Sequence, residues 1–218
     1  MVDYAAIRFN MVESQLRTNR VTDAAILDAF ETVPRERFVP EAQRSIAYVD
    51  EDIPLGGGRY LMEPMVLARL LQAAAPQAHE TALDVACGTG FATFILGRLS
   101  ATAVGLESDP ALAASARRTL GDLEADNTLV VEGPLTEGYA KQAPYNVILL
   151  NGAVAEVPYA IREQLAEGGR LVAVIKDADG VGRATLMQRT GDVVSGRVLF
   201  DAAIPLLPDF ARPPAFVF

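Results

Sequence analysis

From residue 81 onward, short apolar runs alternate with longer amphipathic ones. TALDVA, ATAVGLES, NTLVVEG, YNVILLNG and RLVAVIKD read as strands, and FATFILGRLS, DPALAASARRTL and VPYAIREQLAEGG as helices among them. Strands that are apolar throughout are buried on both faces, and helical crossovers between them require a parallel sheet. From about Arg183 the texture changes again, and ATLMQRT and GRVLFDAAI flank the turn TGDVVSG as an antiparallel pair. The expectation is an α/β chain with a doubly wound, mostly parallel, seven-stranded Rossmann-like sheet, an antiparallel C-terminal edge and a helical N-terminal segment.

Ahead of the alternation, VESQLRTN and DAAILDAFETV carry helical spacing, with Asp23 as N-cap of the second and Pro34 as its stop. VPRERFVP follows as an ordered connector, and MEPMVLARLLQAAAP reads as an amphipathic helix closed by Pro76. No linker, repeat or low-complexity tract divides the chain. Its 218 residues, half of them hydrophobic, suit one domain over 1–218, with a helical acceptor-side segment at 1–60 and the α/β core at 61–218.

The charge is −9, so a nucleic-acid partner would need a basic patch set against the field of the whole protein. Arg8, Arg17 and Arg20 read instead as a solvated helix face, and no nucleic-acid partner is expected. One histidine and one cysteine leave no Cys/His zinc site and no internal disulfide. His79, in the loop-like APQAHET, reads as a surface residue and not as a triad member. MVDYAAIRFNMVE lacks the apolar stretch of a secretory signal, and no apolar run is long enough to span a bilayer. A cytoplasmic protein without a membrane partner is expected.

LDVACGTGF, residues 83–91, is the strongest local signal. A strand ends, Gly88 and Gly90 follow, and a helix begins, so backbone and free N–H groups can approach a ligand closely. Glu107, at the end of the next strand, is placed to accept both hydroxyls of a ribose. The sixth position of a dinucleotide fingerprint is Thr93 instead of glycine, and the acidic Asp84 would repel a pyrophosphate while suiting the amino-acid portion of S-adenosylmethionine. A tight βα turn with no ligand is the plain alternative, and a dinucleotide-dependent dehydrogenase is a more distant one.

The order of motifs outside that turn resembles one family, the protein-L-isoaspartate (D-aspartate) O-methyltransferases. In MVESQLRTNRVTDAAILDAFETVPRERFVPEAQRSIAYVDEDIPLGGG a Gln-Leu helix leads to Val-Pro-Arg-Glu-x-Phe-Val-Pro, then Ala-Tyr, then Pro-Leu-Gly, and EQLAEGGRLV matches the family's late strand entry. The likeness runs from about Met11 to the last strands. It implies a class I methyltransferase fold with S-adenosylmethionine as cofactor, S-adenosyl-L-homocysteine as product, and proteins or peptides bearing isoaspartyl residues as partners. It implies cofactor contacts from Asp84, Ala86, Cys87, Gly88, Gly90 and Glu107, with Gly133 and Asn151 at the ends of the third and fourth strands. It says nothing of oligomeric state.

The chain departs from the family pattern around one pocket. GGGRYLMEP, residues 56–64, stands where the family has roughly Gly-x-Gly-Gln-Thr-Ile-Ser-x-Pro, an acceptor-side loop. Arg59, Tyr60 and Met62 take the places of the Gln, Thr and Ser, so both small hydroxyls are gone, and Met62 offers no useful hydrogen bond. Gly133-Pro134-Leu135 replaces Gly-Asp-Gly by the adenine, and Asn151 stands for a Thr. Arg59 could pair bidentately with the acceptor carboxylate, or with Glu63 as a surface ion pair of little energetic value. The expected activity is methylation of isoaspartyl carboxylates. A different carboxyl or small-molecule acceptor, and a non-catalytic S-adenosylmethionine binder, are the alternatives.

Overall fold

The computed structural model describes residues 2–176 and 180–211. Helix α1 (Tyr4–Met11) runs on through a π turn and a 3-10 turn to Asn19. Helix α2 (Ala24–Thr32) starts where the Asp23 carboxylate accepts the amides of Ala25 and Ile26. It stops before Val33, which the following proline holds extended. The connector that follows is pinned by Arg35, which is fully buried. Its Nε donates to the Ala47 carbonyl at 2.7 Å, its Nη2 to the Met62 carbonyl at 2.8 Å, and its guanidinium lies 5.0 Å from the centre of the Phe91 ring. Burial pulls its pKa down to about 9, with Tyr48 and nearby acids opposing.

Arg17 and Arg20 are exposed, but Arg8 is not part of a solvated face. Arg8 donates to the Glu31 carbonyl near the end of α2 at 2.6 Å and to the hydroxyl of Tyr48, from the segment after α2, at 3.0 Å. GGGRYLMEP, expected as an acceptor-side loop, instead holds the turn and second strand of a β-hairpin between β1 (Ile53–Gly56) and β2 (Arg59–Leu61). Gly57 and Gly58 both turn left-handed, at φ 56° and 73°. That pair matches the twist of the flanking strands and demands glycine. Helix α3 (Pro64–Ala74) then begins on a proline in its first turn.

The main sheet holds β3 (Thr81–Val85), β4 (Thr102–Glu107), β5 (Thr128–Glu132), β6 (Tyr145–Val154), β7 (Leu165–Ile175), β8 (Arg183–Thr190) and β9 (Val193–Asp201). Its order is β5-β4-β3-β6-β7-β8-β9, parallel through β7 and antiparallel at β8 and β9. Helices α4 (Phe91–Leu99) and α5 (Pro110–Asp122) cross over between β3 and β5. Alternate residues feed two cores, as a pleat requires. Leu83, Val85, Val104, Leu106, Ile148 and Leu150 fill one. Ala82, Ala103, Val147, Leu149 and Val172 face the other, where Phe30, Leu67, Leu70 and Phe91 cover them.

Two boundaries differ from the sequence reading. The expected helix VPYAIREQLAEGG is a single turn, α6 (Tyr159–Arg162), and Leu165–Gly169 already belong to β7. There the Tyr145 amide donates to the Gln164 carbonyl at 2.7 Å, and Gly168 at φ 72° bends the strand entry, which no helix could follow. In TGDVVSG the chain reverses at Gly191 and Asp192 alone, so Val193 and Val194 are already strand. Asp177, the last residue of RLVAVIKD, lies outside the described residues. No helix among the described residues is long and apolar enough to cross a membrane.

Candidate functional site

Parallel strands leave their carboxyl ends open where the crossovers diverge, and the motif residues gather there. After β3 the chain turns through Ala86, Gly88 and Gly90, at φ 64°, 56° and 95°, and enters α4 with its first amides free. Ala86 holds a left-handed conformation that costs an L-residue about 1–2 kcal/mol. Cys87 is buried and its amide donates to the Leu106 carbonyl at 3.0 Å, tying the turn to β4. Gly105 permits that approach. A Cβ there would stand 2.7 Å from Thr93 Oγ1 and 3.0 Å from Cys87 Sγ.

Asp84, on β3, is fully buried. Its Oδ2 accepts the Thr93 hydroxyl at 2.7 Å, while its Oδ1 has no partner among the described residues. Burial lifts its pKa to about 7, opposed by the Thr93 hydrogen bond and by the nearby Asn151 side-chain amide, and reinforced by the charge of Glu107. On the neighbouring strand β6, Asn151 is also buried, and its Oδ1 is likewise unpartnered. Buried polar atoms are nearly always satisfied. Two orphaned acceptors on adjacent strands therefore mark a place for a group rich in N–H.

Glu107 ends β4 and is fully buried. Its Oε2 accepts the Gly88 amide at 2.8 Å; its Oε1 accepts the amides of Ser108 at 2.8 Å and Asp109 at 3.1 Å and the Nε of Arg59 at 3.1 Å. A carboxylate has about four lone-pair directions. Oε1 is saturated and Oε2 keeps one direction free. Arg59, buried at the hairpin tip, also donates from Nη2 to Ser108 Oγ at 2.9 Å and to Asp209 at 2.8 Å. It thus pairs with the carboxylate beside the glycine turn, and not with Glu63. The Gly133 amide donates to the Glu107 carbonyl at 3.1 Å, which sets the end of β5 next to the same carboxylate.

The other side of the crevice is lined by Tyr60 and Met62 from the hairpin and by Asn151 and Gly152 from β6. Met62 is buried; Tyr60 is more than a third exposed. Ile204, Pro205 and Leu207 close over them and leave a gap of about 10 Å³, room for one water molecule. This C-terminal strap is fixed by backbone bonds from the Ala153 amide to the Pro205 carbonyl at 3.0 Å and from the Leu207 amide to the Ala153 carbonyl at 2.8 Å. A Cβ on Gly152 would stand 2.5 Å from Leu207, and one on Gly58 2.5 Å from Pro208. The sequence reading missed the strap, with Ser108 and Asp209, and it treated Thr93 only as a departure from a fingerprint. Its one visible trace is the proline-bracketed PLLPDF, which no helix or central strand would carry. His79 is exposed, away from all of this.

Comparison with known proteins gives the same picture along nearly the whole length. The family model described as Protein-L-isoaspartate(D-aspartate) O-methyltransferase matches residues 8–203. The Protein-L-isoaspartate O-methyltransferase of Koribacter versatilis is 34% identical over 215 residues, 99% of this chain and 97% of its own. Protein-L-isoaspartate O-methyltransferase 2 of Anaeromyxobacter sp. is 39% identical over 165 residues, 76% of this chain and 68% of its own. A solved protein-L-isoaspartate O-methyltransferase superposes with a TM-score of 0.79 at 23% identity, covering 93% of this chain and 65% of that one. A Plasmodium falciparum chain solved in complex with S-adenosyl-L-homocysteine also gives 0.79, at 18% identity, covering 93% and 98%. At those identities the two structures speak to the fold.

Proposed function

We propose that this chain, which belongs to the protein-L-isoaspartate(D-aspartate) O-methyltransferase family, methylates the stray carboxylate of isoaspartyl residues in damaged polypeptides, with S-adenosylmethionine as donor. The observation that carries the donor is the pair of orphaned acceptors. The α-ammonium of the methionine portion supplies the N–H groups that Asp84 Oδ1 and Asn151 Oδ1 lack. The turn at Ala86, Cys87, Gly88 and Gly90 lets the ligand lie against backbone, Glu107 takes the ribose, and Gly133 borders the adenine. The family resemblance carries the acceptor.

When bound, the donor supplies an electrophilic methyl, which passes to the acceptor carboxylate and leaves S-adenosyl-L-homocysteine. An isoaspartyl carboxylate is already ionised at neutral pH, so no general base is needed. The remaining work is placement, since holding an oxygen in line with the methyl at near-attack distance lowers the barrier without proton transfer. Met62, buried, is an apolar wall that keeps water from the reacting oxygen. The Tyr60 hydroxyl takes the donor role of the missing Thr and Ser. Arg59 uses Nε and Nη2 for Glu107, Ser108 and Asp209, which leaves only its buried Nη1 without a partner among the described residues, so the bidentate fork an acceptor carboxylate would need is taken. The neighbouring backbone amide nitrogen then attacks the methyl ester and expels methanol, closing a succinimide that water reopens to a mixture of normal aspartyl and isoaspartyl peptide, the latter returning to the enzyme.

The narrow gap between Tyr60, Met62 and the strap favours one further reading, a different carboxylic acid as acceptor. The test is transfer of labelled methyl to a short isoaspartyl peptide against its normal aspartyl twin. Label on the isoaspartyl peptide alone supports the proposal. Label on small carboxylic acids and on neither peptide would replace it with the second reading.

A further inference from the structure

Beside the donor turn lies a cleft of about 350 Å³ that the proposed chemistry does not use. Arg37, Arg44 and Arg118 line it, with Thr89, Ser115 and Asp122. Arg37 pairs with Asp122 at 3.2 Å. Among the described residues neither Arg44 nor Arg118 pairs with a carboxylate, and the buried Nε of Arg44 has no hydrogen-bond partner at all. Arg118 reaches only Ser115 Oγ, at 3.5 Å. Three guanidinium groups against one carboxylate, in a protein of charge −9, are a local reversal of the overall field. Such a cleft concentrates anions, and guanidinium forks suit carboxylates in particular.

Its position says which anion. Leu55, on β1, forms part of its wall and packs against Gly88, while Tyr60, on β2, and Met62, just after it, line the acceptor gap. The two openings therefore lie on either side of one two-stranded hairpin. One strand spacing plus a side chain on each side is on the order of 10–15 Å, three to four residues of extended peptide at ~3.3 Å each. Resting on the reading that the acceptor is an isoaspartyl polypeptide, we propose that this cleft binds an acidic side chain three to four residues from the reacting carboxylate. Arg44 and Arg118 are then specificity-determining residues, and the enzyme selects damaged sites with acidic flanks.

The experiment uses isoaspartyl peptides carrying glutamate or glutamine at three and four residues from the reacting position. With the wild-type chain the glutamate peptides show a KM about tenfold lower at equal kcat. In Arg118→Gln and in Arg44→Gln the difference between the peptides disappears, while turnover of the glutamine peptides is unchanged. Equal KM values for the two peptides on the wild-type chain, with turnover confirmed, overturn the proposal and leave the methyl transfer standing. If neither peptide is methylated, equilibrium binding of the same peptides, fluorescently labelled, decides it independently of turnover. Tighter binding of the glutamate peptide, lost in Arg118→Gln, supports the cleft, and equal binding ends it.

Discussion

Replacing Arg59 by glutamine should move stability and donor affinity in opposite directions. Arg59 is almost wholly buried and lies between two carboxylates, Glu107 and Asp209. Removing one partner of a buried ion pair costs about 3–5 kcal/mol, because the other charge stays behind. Glu107 keeps three backbone N–H donors, from Gly88, Ser108 and Asp109, and Asp209 is a third exposed, so the lower end, about 3 kcal/mol, applies. For a chain of this size that lowers Tm by roughly 6–12 °C. Donor binding should gain. Glu107 offers a ribose one free lone pair on Oε2, while Oε1 carries three donors on two lone pairs, so losing Arg59 Nε, at 3.1 Å, opens a direction around Oε1 that a second hydroxyl can share with the two amides. Vacating it restores about 1 kcal/mol, roughly a fivefold tighter Kd for S-adenosyl-L-homocysteine. Thermal unfolding and isothermal calorimetry on the same two preparations read both quantities. A variant that loses stability and affinity together would refute the reasoning, since Arg59 would then be a donor contact and not a competitor for Glu107.

Donor binding should also depend on pH through Asp84. Its pKa of about 7 lies well above the ordinary carboxylate value, and an ammonium beside it favours the ionised form, so affinity should fall about tenfold per pH unit below 7 and level off above it. Calorimetry between pH 5.5 and 8.5 should show this slope, with proton release near its midpoint, and Asp84→Asn should flatten it. Without ligand the same shift has the opposite sense: ionising buried Asp84 costs stability, so this group's contribution declines as pH rises from its unfolded value toward about 7. Arg35→Ala should lower stability by about 3 kcal/mol, seen as a shift of the denaturation midpoint, because it empties a fully buried site and strands the Ala47 and Met62 carbonyls. Gly58→Ala should destabilise by about 2 kcal/mol, since the residue sits at φ 73° and its new Cβ would meet Pro208 at 2.5 Å.

The α/β core was legible because its signals are local. Apolar runs such as VILLN have no alternative but burial on both faces, and Asp23 and Pro34 mark the ends of α2 by their own chemistry. EQLAEGG misled because Leu165 and its neighbours have ordinary helical propensity, and only the pairing with Tyr145 across the sheet makes them strand. The hairpin at Gly57-Gly58 was hidden by strands of four and three residues, too short to show alternation. The environment of Arg59 could not be read at all. Its partners stand 48 and 150 residues further along, and one of them belongs to a strap whose sequence carries no periodicity. Glu107 was legible as an acid at a strand end, but not its saturation, which depends on that distant arginine.

A crystal structure of the chain with S-adenosyl-L-homocysteine tests the account most directly. The account predicts the ammonium on Asp84 Oδ1 and Asn151 Oδ1, the ribose hydroxyls on Glu107, and Arg59 Nε withdrawn beyond hydrogen-bonding distance of that carboxylate. A ligand bound elsewhere, or one seated on Glu107 with the Arg59 contact intact, would contradict it.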